Sequence, residues 1–263
     1  MSFAKIGSVS LHYRFTPSSA DAEPIVFINS LGTDFRIWDT MAADFAGDVP
    51  FLVYDKRGHG LSALGDGIMS IDDHVDDLLG LLDLLAIGRA VICGLSVGGL
   101  IAQRLCQRRP ELVASLILCD TAHKIGTSET WNTRIATVET QGIAAIADGV
   151  MEKWFTPAFH ANRAAELAGY RNMLVRQPVA GYAGTCAAIR DADYTEAAAE
   201  IAVPSLCIVG DQDGSTPPEL VRSLAALIPG SRFEIIRDAG HIPCVEQPDA
   251  LAALIRGFVP SGA

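Results

Sequence analysis

Short apolar segments that alternate with longer amphipathic ones most constrain the fold of this 263-residue chain. Each apolar segment has the length of a strand, is often rich in β-branched residues and is bounded by turn residues. The predicted strands are Ile25–Ile28, Phe51–Tyr54, Ala90–Cys93, Leu116–Cys119, Leu206–Val209 and Phe233–Ile236. The helical patterns between them are Ile71–Leu85, Val97–Gln107, Pro218–Leu227 and Asp249–Phe258. Buried strands that alternate with helices indicate a mostly parallel, doubly wound α/β sheet.

Two segments depart from this alternation. His12–Phe15 is expected to belong to an antiparallel hairpin at the start of the sheet. The stretch Thr121–Glu200 is rich in alanine and helical in pattern, with no convincing strand. We therefore interpret residues 121–200 as a helical lid inserted into an α/β core formed by residues 1–120 and 201–263.

Composition restricts the partners. The net charge of -11 and the pI near 4.9 argue against nucleic acid and against an anionic membrane surface. No stretch approaches the roughly 18 apolar residues of a membrane helix, and no basic segment followed by an apolar one marks a secretory signal. The six cysteines form no C-x-x-C pair, which favours reduced core thiols in the cytoplasm over a metal or redox site.

The strongest motif is Gly94-Leu95-Ser96-Val97-Gly98, between a predicted strand and a predicted helix. This G-x-S-x-G context is typical of a nucleophile elbow of the α/β-hydrolase fold. A serine on such a sharp turn needs neighbours without bulk, which Gly94 and Gly98 provide. The motif predicts Ser96 as the nucleophile, with the amino end of the following helix directed at a developing oxyanion.

A serine hydroxyl needs a base to take its proton. In this fold the chain order is serine, acid and histidine, and three histidines follow Ser96. His123 and His160 fall in the predicted lid, whereas His241 follows the strand Phe233–Ile236 on a loop. His241 is therefore the predicted base, and His59, which precedes Ser96, is assigned a structural role in a turn.

The acid is expected where the penultimate strand, Leu206–Val209, ends. Asp213 is preferred because it lies further into the loop than Asp211, which we interpret as a turn former. Asp120, directly after Leu116–Cys119, is a third candidate, since some hydrolases of this fold place the acid there. The acid orients the imidazole and stabilises its cation.

The oxyanion hole is predicted from two backbone N–H groups, those of Val97 and Leu31. Leu31 lies in the loop after Ile25–Ile28, where hydrolases of this fold usually carry His-Gly and this chain carries Asn29-Ser30.

Several longer segments indicate a particular family of hydrolases. They are Asn29–Asp34 with Trp38-Asp39, Tyr54–Gly60, Lys124–Thr127, Trp131-Asn132, Arg134-Ile135, Trp154–Pro157 and Ile189–Asp193. On these segments the chain resembles the 3-oxoadipate enol-lactonase family over essentially its whole length. The resemblance implies hydrolysis of 3-oxoadipate enol-lactone to 3-oxoadipate in aromatic catabolism, by Ser96, His241 and Asp213, without metal or organic cofactor. We expect a monomer or a small homo-oligomer.

The carboxylate of such an anionic lactone needs a cationic partner in the pocket. Arg134, Lys124 and Arg190 are the candidates, and Arg134 is preferred because it shares a helix face with Trp131. Trp131 and Trp154 are tentative substrate contacts, with lid packing as their alternative role.

Two other functions stay open. One is a carboxylesterase, carbon–carbon hydrolase or perhydrolase of the same fold. The other is a hydrolase-fold ligand receptor with little turnover, which slow hydrolysis and tight ligand retention would favour.

Overall fold

The computed structural model describes residues 2–18, 22–65 and 69–259. An eight-stranded sheet forms its centre. The strands are β1 (Ser2–Ile6), β2 (Val9–Thr16), β3 (Ile25–Ile28), β4 (Phe51–Tyr54), β5 (Ala90–Leu95), β6 (Val113–Cys119), β7 (Ser205–Gly210) and β8 (Arg232–Ile236). Each of the six predicted strands is present, and four extend beyond the apolar run because small or polar residues also join the ladder.

The spatial order of the strands is β1-β2-β4-β3-β5-β6-β7-β8. β1 and β2 form an antiparallel hairpin and β2 pairs antiparallel with β4, whereas the other pairs are parallel. The predicted hairpin and the predicted α/β-hydrolase sheet are both confirmed. Because β5, β6 and β7 are adjacent and parallel, the loops after them meet at one edge of the sheet.

Helices connect the strands. They are α1 (Asp39–Phe45), α2 (Ile71–Leu84), α3 (Val97–Arg108), α4 (Ser128–Gln141), α5 (Ala147–Trp154), α6 (Pro157–Asn162), α7 (Ala164–Val175), α8 (Val179–Asp191), α9 (Pro218–Leu227), α10 (Pro243–Glu246) and α11 (Pro248–Phe258). The four predicted helices correspond to α2, α3, α9 and α11, with ends shifted by at most one residue. Single 3-10 turns lie at Phe35–Trp38, Pro110–Leu112, Ile143–Ile146 and Ala197–Glu200.

The region between β6 and β7 is helical, with no strand among residues 121–204. We call residues 121–200 the lid segment. Helix α8 of this segment packs closely against the loop after β4. A Cβ placed on Gly181 of α8 would lie 2.1 Å from the carbonyl oxygen of Gly58 in that loop. Only glycine at both positions permits this approach, and Gly58 also has a φ of +68°. Residues 1, 19–21, 66–68 and 260–263 of the predicted core lie outside the described residues.

The core surrounds the parallel strands. Every residue of β3, β4, β5, β6 and β7 is buried, as expected for strands covered on both faces. All six cysteines are buried and free, as the sequence predicts. None of the helices in the described ranges combines the length and hydropathy that a membrane span requires.

Candidate active site

Ser96 lies on a strained turn between β5 and α3. Its backbone has φ 57° and ψ -116°, a conformation that a non-glycine residue rarely adopts. Its neighbours leave no space for side chains: a Cβ on Gly94 would lie 2.2 Å from the carbonyl oxygen of Gly98, and one on Gly98 would lie 2.2 Å from that of Ile28. Thr121 fixes the turn by donating from its hydroxyl to the Ser96 carbonyl at 2.6 Å.

His241 and Asp213 lie on the loops after β8 and β7 and form a buried pair. Nδ1 of His241 is 2.9 Å from Oδ2 of Asp213, and both side chains are at least 98% buried. Three further donors fix the carboxylate. The Thr216 hydroxyl donates to Oδ2 at 2.7 Å, and the N–H groups of Ser215 and Thr216 donate to Oδ1 at 2.7 and 3.0 Å.

These contacts determine the direction in which the pKa of Asp213 is shifted. Burial opposes the carboxylate, but His241 and the donors from Thr216 and Ser215 outweigh it, so the pKa of Asp213 lies below its ordinary value. A carboxylate facing Nδ1 orients the imidazole so that Nε2 is directed away from it. This is the arrangement that a general base requires.

Asp120 is a second acid beside the His241–Asp213 pair. It follows β6 with φ 46°, is fully buried, and accepts a hydrogen bond from the Gly210 N–H at 2.9 Å through Oδ1. Burial and the neighbouring Asp213 charge raise its pKa well above the ordinary value. Asp120 therefore holds its proton more strongly than Asp213, and Asp213 is the acid that contacts the imidazole.

A metal ion is the other group that such a cluster could hold. One donor atom each from Asp120, Asp213 and His241 lie within 4.8 Å of one another. However, the Asp213 oxygens already accept four hydrogen bonds, and an ion would have to displace some of these donors. The donor set therefore fits an acid–base pair better than a cation site.

The amides of Leu31 and Val97 are free to bind an oxyanion. Val97 is the first residue of α3, where an N–H group has no intrahelical partner. Within the described residues, neither amide donates to a protein acceptor. Leu31 lines the same cavity as Ser96.

The cavity has a volume of about 250 Å³ and lies between the sheet edge and the lid segment. Ser96 and His241 both line it, although no hydrogen bond joins their side chains within the described residues. Catalytic hydrogen bonds are often long in unliganded enzymes and shorten when substrate binds.

Comparisons with known proteins agree with this geometry. Residues 25–254 match the alpha/beta hydrolase family. The chain belongs to that family. It is 36% identical to 3-oxoadipate enol-lactonase 2 of Acinetobacter baylyi over 242 residues, which cover 92% of this chain and 90% of the relative.

Two solved structures are similar over the whole hydrolase. An enol-lactonase from Burkholderia xenovorans LB400 is 38% identical with a TM-score of 0.94, covering 98% of this chain and 99% of the other. A thermophilic esterase from Thermogutta terrifontis, solved with malate bound, is 27% identical with a TM-score of 0.92, covering 98% of each chain. The resemblance seen in the sequence is thereby confirmed.

Two cations of the hydrolase line the cavity. Arg134 of α4 is partly buried, with its guanidinium 5.2 Å from the centre of the Trp131 ring, as the predicted helix face requires. Lys153 of α5 also lines it, although no sequence pattern selects this lysine. Within the described residues neither cation forms an ion pair.

The other two cationic candidates are wrong, because each is paired with an acid outside the cavity. Nζ of Lys124 lies 2.9 Å from Oδ2 of Asp193. Arg190 binds both oxygens of Asp191. Neither side chain lines the cavity.

Trp131 and Trp154 both line the cavity. Trp131 is held by a hydrogen bond from Nε1 to the Ile125 carbonyl at 2.6 Å. The end of α5 is hydrogen-bonded to the loops that carry Asp213 and His241. The Trp154 carbonyl accepts from the His241 N–H at 2.9 Å, and the Lys153 carbonyl accepts from the Gly214 N–H at 3.2 Å.

The remaining candidates lie elsewhere. His59 is buried in a turn with Nδ1 3.2 Å from the Arg57 carbonyl, and Nε2 of His160 lies 3.1 Å from the Met151 carbonyl. His123 does not line the cavity. Asp211 is exposed and accepts from the Ala239 N–H at 3.3 Å, which suits a turn former.

Sequence reasoning missed Thr216 as a partner of Asp213. An Asp commonly accepts hydrogen bonds from the backbone N–H groups two and three positions later in a turn. The pattern Asp213-Gly214-Ser215-Thr216 therefore indicates such a turn in the sequence itself. No comparable signal existed for Lys153.

Proposed function

We propose that this hydrolase cleaves 3-oxoadipate enol-lactone to 3-oxoadipate, with Ser96 as nucleophile, His241 as base and Asp213 as the orienting acid. The observation that carries the proposal is one cavity that joins the strained Ser96 turn and the buried His241–Asp213 pair to two cations that form no ion pair with any described residue. The names of the enol-lactonase relatives support the substrate. Such a reaction belongs to the breakdown of aromatic acids.

In the first step, Oγ of Ser96 attacks the lactone carbonyl carbon while Nε2 of His241 takes its proton. The carbonyl oxygen becomes an oxyanion, which the N–H groups of Leu31 and Val97 stabilise. One such donor is worth on the order of a hundredfold or more in rate. The imidazolium that forms is stabilised by the Asp213 carboxylate.

In the second step, the bond between the carbonyl carbon and the ring oxygen breaks, and His241 returns the proton to the leaving oxygen. The leaving group is an enol, which is more acidic than an alcohol and departs more readily. Its conversion into a ketone makes ring opening hard to reverse. Water activated by His241 then hydrolyses the ester on Ser96.

Arg134 and Lys153 fit the carboxylate on the lactone side chain. Both cations belong to helices of residues 121–200 and line the same cavity as Ser96. Since the chain carries a net charge of -11, an anionic substrate needs such a local positive region. We also propose that residues 121–200 act as the lid whose helices supply this recognition.

A second candidate is hydrolysis of simple carboxylic esters, which the likeness to the Thermogutta terrifontis esterase favours. The test is kcat/KM for 3-oxoadipate enol-lactone, its methyl ester and p-nitrophenyl acetate. We expect the free acid to exceed its methyl ester by about tenfold or more, the effect of a charge-assisted contact. Equal values for acid and ester, with faster p-nitrophenyl acetate cleavage, would instead support the esterase.

A further inference from the structure

Lys56 is a fully buried lysine beneath the candidate active site. It follows β4, and its side chain has no solvent exposure. Nζ donates to the carbonyl oxygens of Asn29 and Ser30 at 3.0 and 2.9 Å. Burying an ammonium group is costly, so a lysine kept in this position calls for a functional explanation.

The Ser30 carbonyl belongs to the same peptide unit as the Leu31 N–H. In a trans peptide these two groups point in opposite directions. Lys56 therefore binds the carbonyl oxygen of the peptide unit whose N–H group is one of the two proposed oxyanion donors. Thr33 adds two donors to the same oxygen, its hydroxyl at 2.9 Å and its N–H at 3.4 Å.

A cation on the carbonyl oxygen draws electron density from the amide. The N–H group at the other end becomes a stronger hydrogen-bond donor, because linked hydrogen bonds polarise one another at low dielectric. The contact also fixes the direction of the N–H group before the oxyanion forms, which is the preorganisation that an oxyanion hole requires.

Closing the loop does not by itself require this lysine. The amide of Asn29 already donates to the Thr33 carbonyl across the loop. Asp55, which precedes Lys56, is engaged elsewhere: it accepts from the Phe35 N–H at 2.8 Å and lies 2.7 Å from Nδ1 of His12. The ammonium group is thus directed at the two carbonyls rather than at a carboxylate.

We propose that Lys56 is a positioning residue of the oxyanion hole, which acts on the transition state through the Ser30–Leu31 peptide. The inference rests on the proposed function, because it requires Leu31 to bind an oxyanion. Burial lowers the pKa of Lys56 to about 7, while Asp55 and Asp34 oppose this shift. About half of the Lys56 side chains therefore carry the charge at pH 7, and the fraction rises as the pH falls.

The test compares Lys56→Met, Lys56→Gln and Thr33→Val with the wild type. Each is assayed for kcat and KM on p-nitrophenyl acetate. The affinity for phenylboronic acid is also measured, since its tetrahedral adduct with Ser96 places an anionic oxygen in the hole. Leu82→Ala is the control, because it removes a buried side chain of α2 far from this loop.

We expect Lys56→Met to lower kcat and boronic acid affinity together by about tenfold, with KM nearly unchanged. This is less than the hundredfold or more for losing a direct donor. Lys56→Gln, which keeps a neutral donor, should lose less, and Thr33→Val should lose about threefold. Leu82→Ala should lower the melting temperature without changing boronic acid affinity.

Wild-type boronic acid affinity in a folded Lys56→Gln, together with the same affinity in Thr33→Val, would overturn the inference even if Lys56→Met fails to fold. The proposed function fails differently. Ester turnover that survives in Ser96→Ala would remove the nucleophile itself, whatever the Lys56 variants do.

Discussion

The two walls of the cavity are built differently. On the sheet side, Asp213 and His241 are buried and paired with each other, and Asp213 accepts four hydrogen bonds. On the lid side, Arg134 and Lys153 are less buried and form no ion pair within the described residues. The fold thus fixes the groups that we propose to move protons and leaves available the charges that we propose to bind the substrate.

The difference separates two kinds of effect. Changes on the sheet side should lower kcat, since its groups act on the transition state. Changes on the lid side should raise KM, since a carboxylate remote from the reacting bond contacts them equally in the ground and transition states. Mutations on each wall test this difference.

The largest effect is expected from Asp213→Asn. An amide at this position would favour the wrong tautomer of His241, and kcat should fall by about ten-thousandfold. Steady-state kinetics on the enol-lactone measure it, with the exposed Asp211→Asn as a matched control that retains activity. Less than a tenfold loss in Asp213→Asn would move the role of the acid to Asp120.

Arg134→Ala should raise KM for the enol-lactone by about 10- to 100-fold with little change in kcat, because a charge-assisted hydrogen bond is lost. The methyl ester of the lactone should show no such increase. Arg190→Ala is the control, since Arg190 is paired with Asp191 away from the cavity. An unchanged KM in Arg134→Ala would remove Arg134 from substrate recognition.

Asp120 offers a smaller test on the sheet side. Asn has the shape of Asp120 and can still accept from the Gly210 N–H, so Asp120→Asn should keep kcat within about threefold. Asp120→Ala leaves the buried Gly210 N–H without a partner, and should cost about 1–3 kcal/mol of unfolding free energy. Equal losses in both variants, by denaturant unfolding and kinetics, would contradict a neutral Asp120.

The last effect concerns the pH dependence of stability. The pKa of Asp120 is raised in the folded protein, so its stabilisation is complete below the unfolded pKa of about 3.9 and is lost as pH rises towards the folded value. Wild-type stability should therefore fall relative to Asp120→Asn by up to about 1.4 kcal/mol per pH unit in that window. Urea unfolding of both proteins between pH 5 and 8 measures this, and parallel curves would contradict the shift.

The sequence predicts the sheet side better than the lid side. Ser96 directly follows β5, and Asp213 and His241 lie on the loops after β7 and β8. Strand periodicity with the G-x-S-x-G motif therefore suffices to place them at one edge of the sheet. Their catalytic roles stay a prediction, as does the division of the chain into a core and a lid.

The lid side depends on contacts that no local pattern encodes. Lys124 and Arg190 were selected by type and position, but Asp193 and Asp191 neutralise them. Lys153 reaches the cavity because the end of α5 is hydrogen-bonded to the loops that carry Asp213 and His241. The contacts of Lys56 cannot be predicted from local sequence either, because its acceptors lie 26 and 27 positions away.

The most direct test is hydrolysis of freshly prepared 3-oxoadipate enol-lactone by wild type and Ser96→Ala, followed as loss of its ultraviolet absorbance. We expect rapid turnover by the wild type and at least about a ten-thousandfold loss in the folded variant, since the nucleophile is removed. Comparable turnover by the two proteins, or none by a wild type that cleaves aryl esters, would contradict the account.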